Sequence, residues 1–158
     1  MKEELEFYKS YHSNDINKSI HFVCIPMIIL SIMIFLKDFY VLYERNTEIT
    51  KEKINKNYKI PILDILITLY TISYMSITLE IGFVMISYFF ILKFLSIIII
   101  DNNYIWISKY LFIYGWIFQF VGHYIEGRRP ALFDSLSQAF YQAPLFSLEY
   151  IMPFLFNF

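Results

Sequence analysis

Histidine occurs three times in this chain, as His12, His21 and His123, each at an end of an apolar segment. Neutral imidazole nitrogens are good ligands for first-row transition metals, and two or three of them with a carboxylate suit non-haem iron that keeps positions open for oxygen. Zinc fits the same donor set. Histidines at a membrane interface also serve simply as hydrogen-bond partners of headgroups or helix ends, and haem ligation by two of them is compatible with the spacing. A di-iron site of the desaturase type is excluded, because it needs many more nitrogens or several carboxylates on facing helices. Asn17 stands four residues before His21 and Glu126 three after His123, so each shares a helical face with its histidine. His12 and His21 would point in opposite directions on one straight helix. The turn and cap formers Ser13, Asn14 and Asp15 between them supply the bend that would bring the two rings together.

These residues need a frame, and composition says of what kind. With 58% hydrophobic and 21% aromatic residues among 158, the chain carries more apolar surface than a water-soluble domain can bury. Its 13 basic and 14 acidic side chains leave a formal net charge of -1, so no field steers it toward nucleic acid. The single cysteine, Cys24, cannot close an intrachain disulfide and reads as a small buried apolar residue. Apolar runs at 20–36, 60–79, 83–100 and 104–123 have bilayer-crossing length. Their uniform apolarity makes them helices rather than barrel strands. The expected fold is therefore all-α, an integral membrane bundle of about four transmembrane helices forming one domain over 1–158. Four crossings return the chain to its starting side, which would put all three histidines on one membrane face.

The connections follow from the same pattern. The charge-rich stretch 37–59 is expected to be a solvated loop. The breaks at Glu80, Ile81 and Gly82 and at Asp101, Asn102 and Asn103 suit tight helical hairpins. Leu132, Phe133, Leu136, Ala139 and Phe140 oppose Asp134, Ser135, Ser137 and Gln138, predicting an interfacial amphipathic helix at about 130–141 that starts at Pro130 and stops at Pro144. Leu5, Tyr8 and Tyr11 or His12 form a weaker amphipathic pattern near the amino terminus. Basic residues are balanced across the two faces, so the positive-inside rule does not set the orientation.

Other polar residues lie within or beside the spans. Asp64, Lys93 and Lys109 would sit at similar depth near the face opposite the histidines, close enough for one ion-pair cluster, or for lysines snorkelling separately. Arg128 and Arg129 follow Glu126 and would hold a substrate carboxylate or lipid phosphates. Gly115 and Gly122 share a helix face and would admit a close neighbour, and Gly127 reads as a helix stop.

Two stretches carry a family resemblance. The segment YHSNDINKSIHFVCIP at 11–26 has a histidine, asparagine, histidine and proline pattern, and QFVGHYIEGRRPALFDSLSQAFYQAPLF at 119–146 has Q-x-x-G-H, glutamate, P-A-L and A-P elements. Both resemble motifs of the Mpo1-like membrane family of 2-hydroxy fatty acid dioxygenases. That resemblance implies an endoplasmic reticulum membrane enzyme using Fe(II) and O2 to shorten a 2-hydroxy fatty acid by one carbon, in fatty acid alpha-oxidation and phytosphingosine breakdown. It makes His12, His21 and His123 the metal ligands and gives Asn17, Gln119 and Glu126 catalytic or ligand-supporting roles. Cys24 departs from the glycine frequent in the family before the proline of the first motif. A non-catalytic membrane scaffold or lipid-binding protein of the same fold is the alternative class. Trp116, Phe118 and Phe120 would line an acyl path or pack against lipid.

Overall fold

The structure, a computed structural model, describes residues 12–50, 62–133 and 136–156. Among them are five α-helices and no strand: α1 (Asp15–Thr50), α2 (Ile62–Met75), α3 (Leu79–Asp101), α4 (Ile107–Glu126) and α5 (Leu136–Glu149). Two of these, α1 over Asp15–Leu36 and α3, are long and apolar enough to cross a membrane, while α2 is a shorter apolar helix. The bundle is apolar outside as well as inside. Phe35 is 63% and Phe90 68% exposed, whereas the core is formed by residues such as Met33, Tyr74, Met85, Phe89 and Leu145.

Each helix end has a local cause. Asn14 caps α1, its side-chain oxygen accepting from the Ile16 and Asn17 backbone N–H groups at 2.8 and 3.3 Å. Thr78 caps α3 by accepting from the Ile81 N–H at 3.2 Å. α3 stops at Asn102 and Asn103, the latter at φ 61°. α4 stops at Gly127, whose φ of 72° is left-handed, with its N–H turned back to the carbonyls of His123 and Tyr124.

α1 and α4 form the frame of the site. They run in opposite directions with the start of α1 beside the end of α4, so Asn17 faces Gly122 while Cys24 and Ile28 face Gly115. Two turns separate the contacts on each helix. The glycines expected to admit a close neighbour do so, and Cys24 is buried at 4% exposure.

Several sequence expectations are corrected. Residues 37–50 of the expected loop are helical, a continuation of α1. No glycine or proline interrupts them, so the helix keeps satisfying its own backbone past the apolar stretch. The remainder of that loop, and the amino-terminal pattern before His12, lie outside the described residues. The α2–α3 turn is at Ser76, Ile77 and Thr78, not at Glu80 to Gly82. Thr78 supplies the cap, and Gly82 lies within the first turn of α3, where Met75 packs into the space of its missing β-carbon.

The expected surface helix at 130–141 is instead a 3-10 turn (Ala131–Phe133) followed by α5, which passes through Pro144. A proline inside a helix costs about 3 kcal/mol. Burial of Leu145, Phe146 and Leu148, at roughly 1.5–3 kcal/mol each, offsets that cost. α5 is therefore packed into the bundle. Lys93 pairs with Asp64, tying α3 to α2, but Lys109 lies elsewhere, beside Ser31 and Phe35.

Candidate metal centre

His21 sits nearly two turns into α1, and its Nδ1–H donates to the Asn17 carbonyl at 2.9 Å. That bond assigns the proton to Nδ1 and leaves Nε2 bare. His12 lies before the helix, on the segment that Asn14 turns. It folds back until its Nε2 is 3.1 Å from the His21 Nε2. His123 arrives from the last turn of α4, its ring centroid 4.9 Å from each of the other two. One nitrogen from each ring lies within 4.8 Å of the others, and all three residues are buried. Phe146 of α5 closes the cluster, its ring 4.6 Å from that of His12.

These residues fit a metal ion. Two imidazole nitrogens about 2.0–2.1 Å from one ion stand roughly 3 Å apart, as the His12 and His21 nitrogens do. The same distance also suits a hydrogen bond in which His12 donates to the bare His21 nitrogen. His123 Nδ1 is buried with no hydrogen-bond partner among the described residues, an orphaned donor or acceptor that a third ligand bond would explain.

Glu126 does something the sequence did not indicate. Its carboxylate accepts from the Ser13 backbone N–H, from the Ser13 hydroxyl at 2.9 Å, from the Asn14 N–H at 3.1 Å and from the Asn17 side-chain amide. Both oxygens are engaged on the chain that carries His12 and begins α1. Burial alone would raise its carboxyl, but the hydrogen bonds from Asn17, Ser13 and Asn14 outweigh it and hold the group below the usual carboxylate range. Glu126 thus clips the end of α4 to the start of α1. Asn17 orients His21 through its carbonyl and Glu126 through its amide.

Gln119, one turn before His123 on α4, faces a cavity of about 100 Å³ with His21 and His123. The rest of its wall is apolar, including Ile25, Ile28, Trp116 and Phe120, so two of the three aromatic residues singled out in the sequence lie there and Phe118 does not. His12 opens on a different cavity of about 440 Å³, shared with Ser13, Asp15, Lys18 and Glu149. The histidines stand between a more polar cavity, whose wall also includes Phe146, Tyr150 and Pro153, and an apolar one. Arg128 and Arg129 are exposed beyond Gly127 and line neither cavity.

Sequence reasoning missed Phe146 and Gln142. Gln142 is fully buried with both amide atoms unpartnered among the described residues, one turn before Phe146 on the same face of α5. Its place next to an A-P element was the available signal.

A family model described as "2-hydroxy-palmitic acid dioxygenase Mpo1-like" matches residues 1–155. This chain belongs to the Mpo1-like family. It is 33% identical over 150 residues to the 2-hydroxy-palmitic acid dioxygenase MPO1 of Saccharomyces cerevisiae, covering 92% of this chain and 76% of the yeast protein. No solved structure matches. In this Mpo1-like chain, both segments that carried the resemblance contribute to the histidine cluster.

Proposed function

We propose that this chain is an Fe(II)-dependent dioxygenase that shortens 2-hydroxy fatty acids by one carbon, a step of fatty acid alpha-oxidation and phytosphingosine breakdown, in the endoplasmic reticulum membrane. The convergence of His12, His21 and His123 carries the reading. Family membership and the name of the yeast relative supply the substrate class. The reaction balances as one 2-hydroxy acid plus O2 giving the acid one carbon shorter, CO2 and water. The C1–C2 bond breaks, C2 is oxidised from alcohol to carboxyl, and O2 takes four electrons.

His12, His21 and His123 would hold the iron, which when bound supplies the redox chemistry that O2 needs to react with a closed-shell organic acid. The protein's own groups do the positioning. Asn17 fixes the His21 tautomer, and Glu126 holds the His12 segment in place. Gln119 offers an amide to the head of a substrate whose tail lies in the apolar cavity. The polar cavity on the His12 side gives water, protons and a one-carbon product a route that does not pass through lipid.

Exposed apolar residues on α1, α3 and α4, such as Phe35, Phe94 and Tyr110, support a bilayer around the bundle. With α1 to α4 as four crossings, the histidine ends of α1 and α4 share one face. At 14 residues α2 rises only about 21 Å, the shortest of the four.

The test is anaerobic loading of purified protein with Fe(II), followed by O2 and 2-hydroxyhexadecanoic acid. Pentadecanoic acid is the expected product, absent in His21→Ala and His123→Ala. A wild-type protein that retains no stoichiometric transition metal and gives no shortened acid overturns the reading.

A further inference from the structure

Ile32 of α1 lines two cavities at once. The apolar cavity that begins at His21, His123 and Gln119 follows the seam between α1 and α4 as far as Ile32. A second cavity of about 290 Å³ starts there, bounded by Ser31, Ile32, Phe35, Ser108, Lys109 and Phe112. The two cavities share Ile32, so a groove running through both along the seam has Ile32 as its ridge. Its outer side is open, for Ile32 is 36% and Phe112 43% exposed.

Resting on the reading above, we infer that this groove seats the acyl tail of the substrate and that Ile32 sets how far a tail lies in the first cavity before it must cross into the second. The groove is polar where the histidines and Gln119 stand and aliphatic along Ile25, Ile28 and Ile29. An amphiphile with its carboxyl and hydroxyl at the histidines therefore has one direction in which to lay its tail. From His21 to Ile32 the helix rises about 16 Å. An all-trans chain built from bonds of about 1.5 Å advances roughly 1.25 Å per carbon, so about thirteen carbons span the distance to the ridge, lying partly in the open side of the groove. Phe35 lies about 21 Å along, a length of roughly seventeen carbons. A palmitic chain thus crosses Ile32 and ends in the second cavity, beside Ser108. The open side lets the tail enter sideways from lipid.

Photolabelling of the protein in phosphatidylcholine vesicles tests this. Two 2-hydroxyhexadecanoic acid probes carry a diazirine on about the seventh or about the fifteenth carbon, and labelled peptides are read by mass spectrometry. The first probe is expected to mark Ile28, Ile29 or Trp116, and the second Phe35, Ser108 or Phe112. Ile32→Trp keeps the first label and lowers the second by about tenfold, the discrimination a change of side-chain size in an apolar pocket gives. Ile32→Ala keeps both, which separates a blocked groove from a damaged bundle. Identical labelling by the two probes overturns the proposal. So does labelling of Phe90 and Phe94 on α3 as heavily as Phe112, or an Ile32→Trp pattern unchanged from wild type. Labelling needs no turnover: ordered labels without shortened acid leave the groove standing and remove the dioxygenase reading, and shortened acid without ordered labels does the reverse.

Discussion

The side chain of Asn17 occupies the space that a β-carbon at Gly122 would need, with Asn17 Cγ only 3.2 Å from that position and Oδ1 nearer still. Asn17 has no exposed surface, its amide is held by Glu126 and its carbonyl by His21. The approach of α1 to α4 therefore sets the histidine geometry directly.

Gly122→Ala is expected to cost about 1–3 kcal/mol of stability, as overpacking of a filled site does, and to weaken metal retention through Asn17. Gly115→Ala meets Ile28 Cγ1 at 2.7 Å and the Cys24 carbonyl at 3.4 Å, and should cost a similar amount but leave metal retention unchanged, because neither neighbour orients a histidine. Thermal midpoints and metal content of the two variants, measured in the same micelles, check the contrast. Equal loss of metal in both would show that general loosening is responsible.

Glu126 gives the bundle an acid-sensitive clip. Its folded carboxyl is lowered, so the stability it contributes is fully present above the unfolded carboxyl value of about 4.3 and disappears as pH falls through the lower folded value. Glu126→Gln should lower the thermal midpoint at pH 7 and flatten its fall toward pH 3. It should also reduce metal affinity by about 10–100-fold, the range for residues that orient ligands. A variant with an unchanged acid profile would contradict the clip.

Metal removal should be visible without any substrate. An ion that binds only the folded chain stabilises it by about 2.7 kcal/mol at a hundred times its Kd. A chelator is expected to lower the melting temperature of the wild type. His21→Ala and His123→Ala should already melt low and respond little. A chelator that shifts all three proteins alike would show that the histidines are not the site of loss.

Gln142 carries two buried amide atoms without partners among the described residues, a burden of about 1–3 kcal/mol. Gln142→Met keeps the length and removes the polar atoms, and should raise stability by about 1 kcal/mol with metal content unchanged. Unfolding curves of the two proteins decide it, and a destabilised Gln142→Met would mean that a buried water holds the amide.

The histidine cluster was legible in the sequence, because apolar segments leave few places for imidazole and an even number of antiparallel helices returns the chain to one end. Its convergence rests on α1 and α4 running antiparallel. The bend between His12 and His21 was legible in Ser13, Asn14 and Asp15. The work of Glu126 was not, since two of its four hydrogen bonds go to backbone N–H groups that no residue type announces. Nor was the course of α5, where Pro144 signals a stop and buried contacts around Leu145 and Phe146 override it. The α2–α3 turn was misplaced by the same kind of competition. Glu80 and Gly82 look like a break, yet the cap that decides the boundary is Thr78.

His12 and His21 stand ahead of α2 and α3 in the chain, and His123 follows only after them. Two imidazoles alone make a poor trap for a metal, so the growing protein passes through translation with its donor set incomplete. The third histidine and the Glu126 clip come three residues apart, late, on the same helix. The cluster can therefore close only once α4 has been made, and Phe146 of α5 covers it later still.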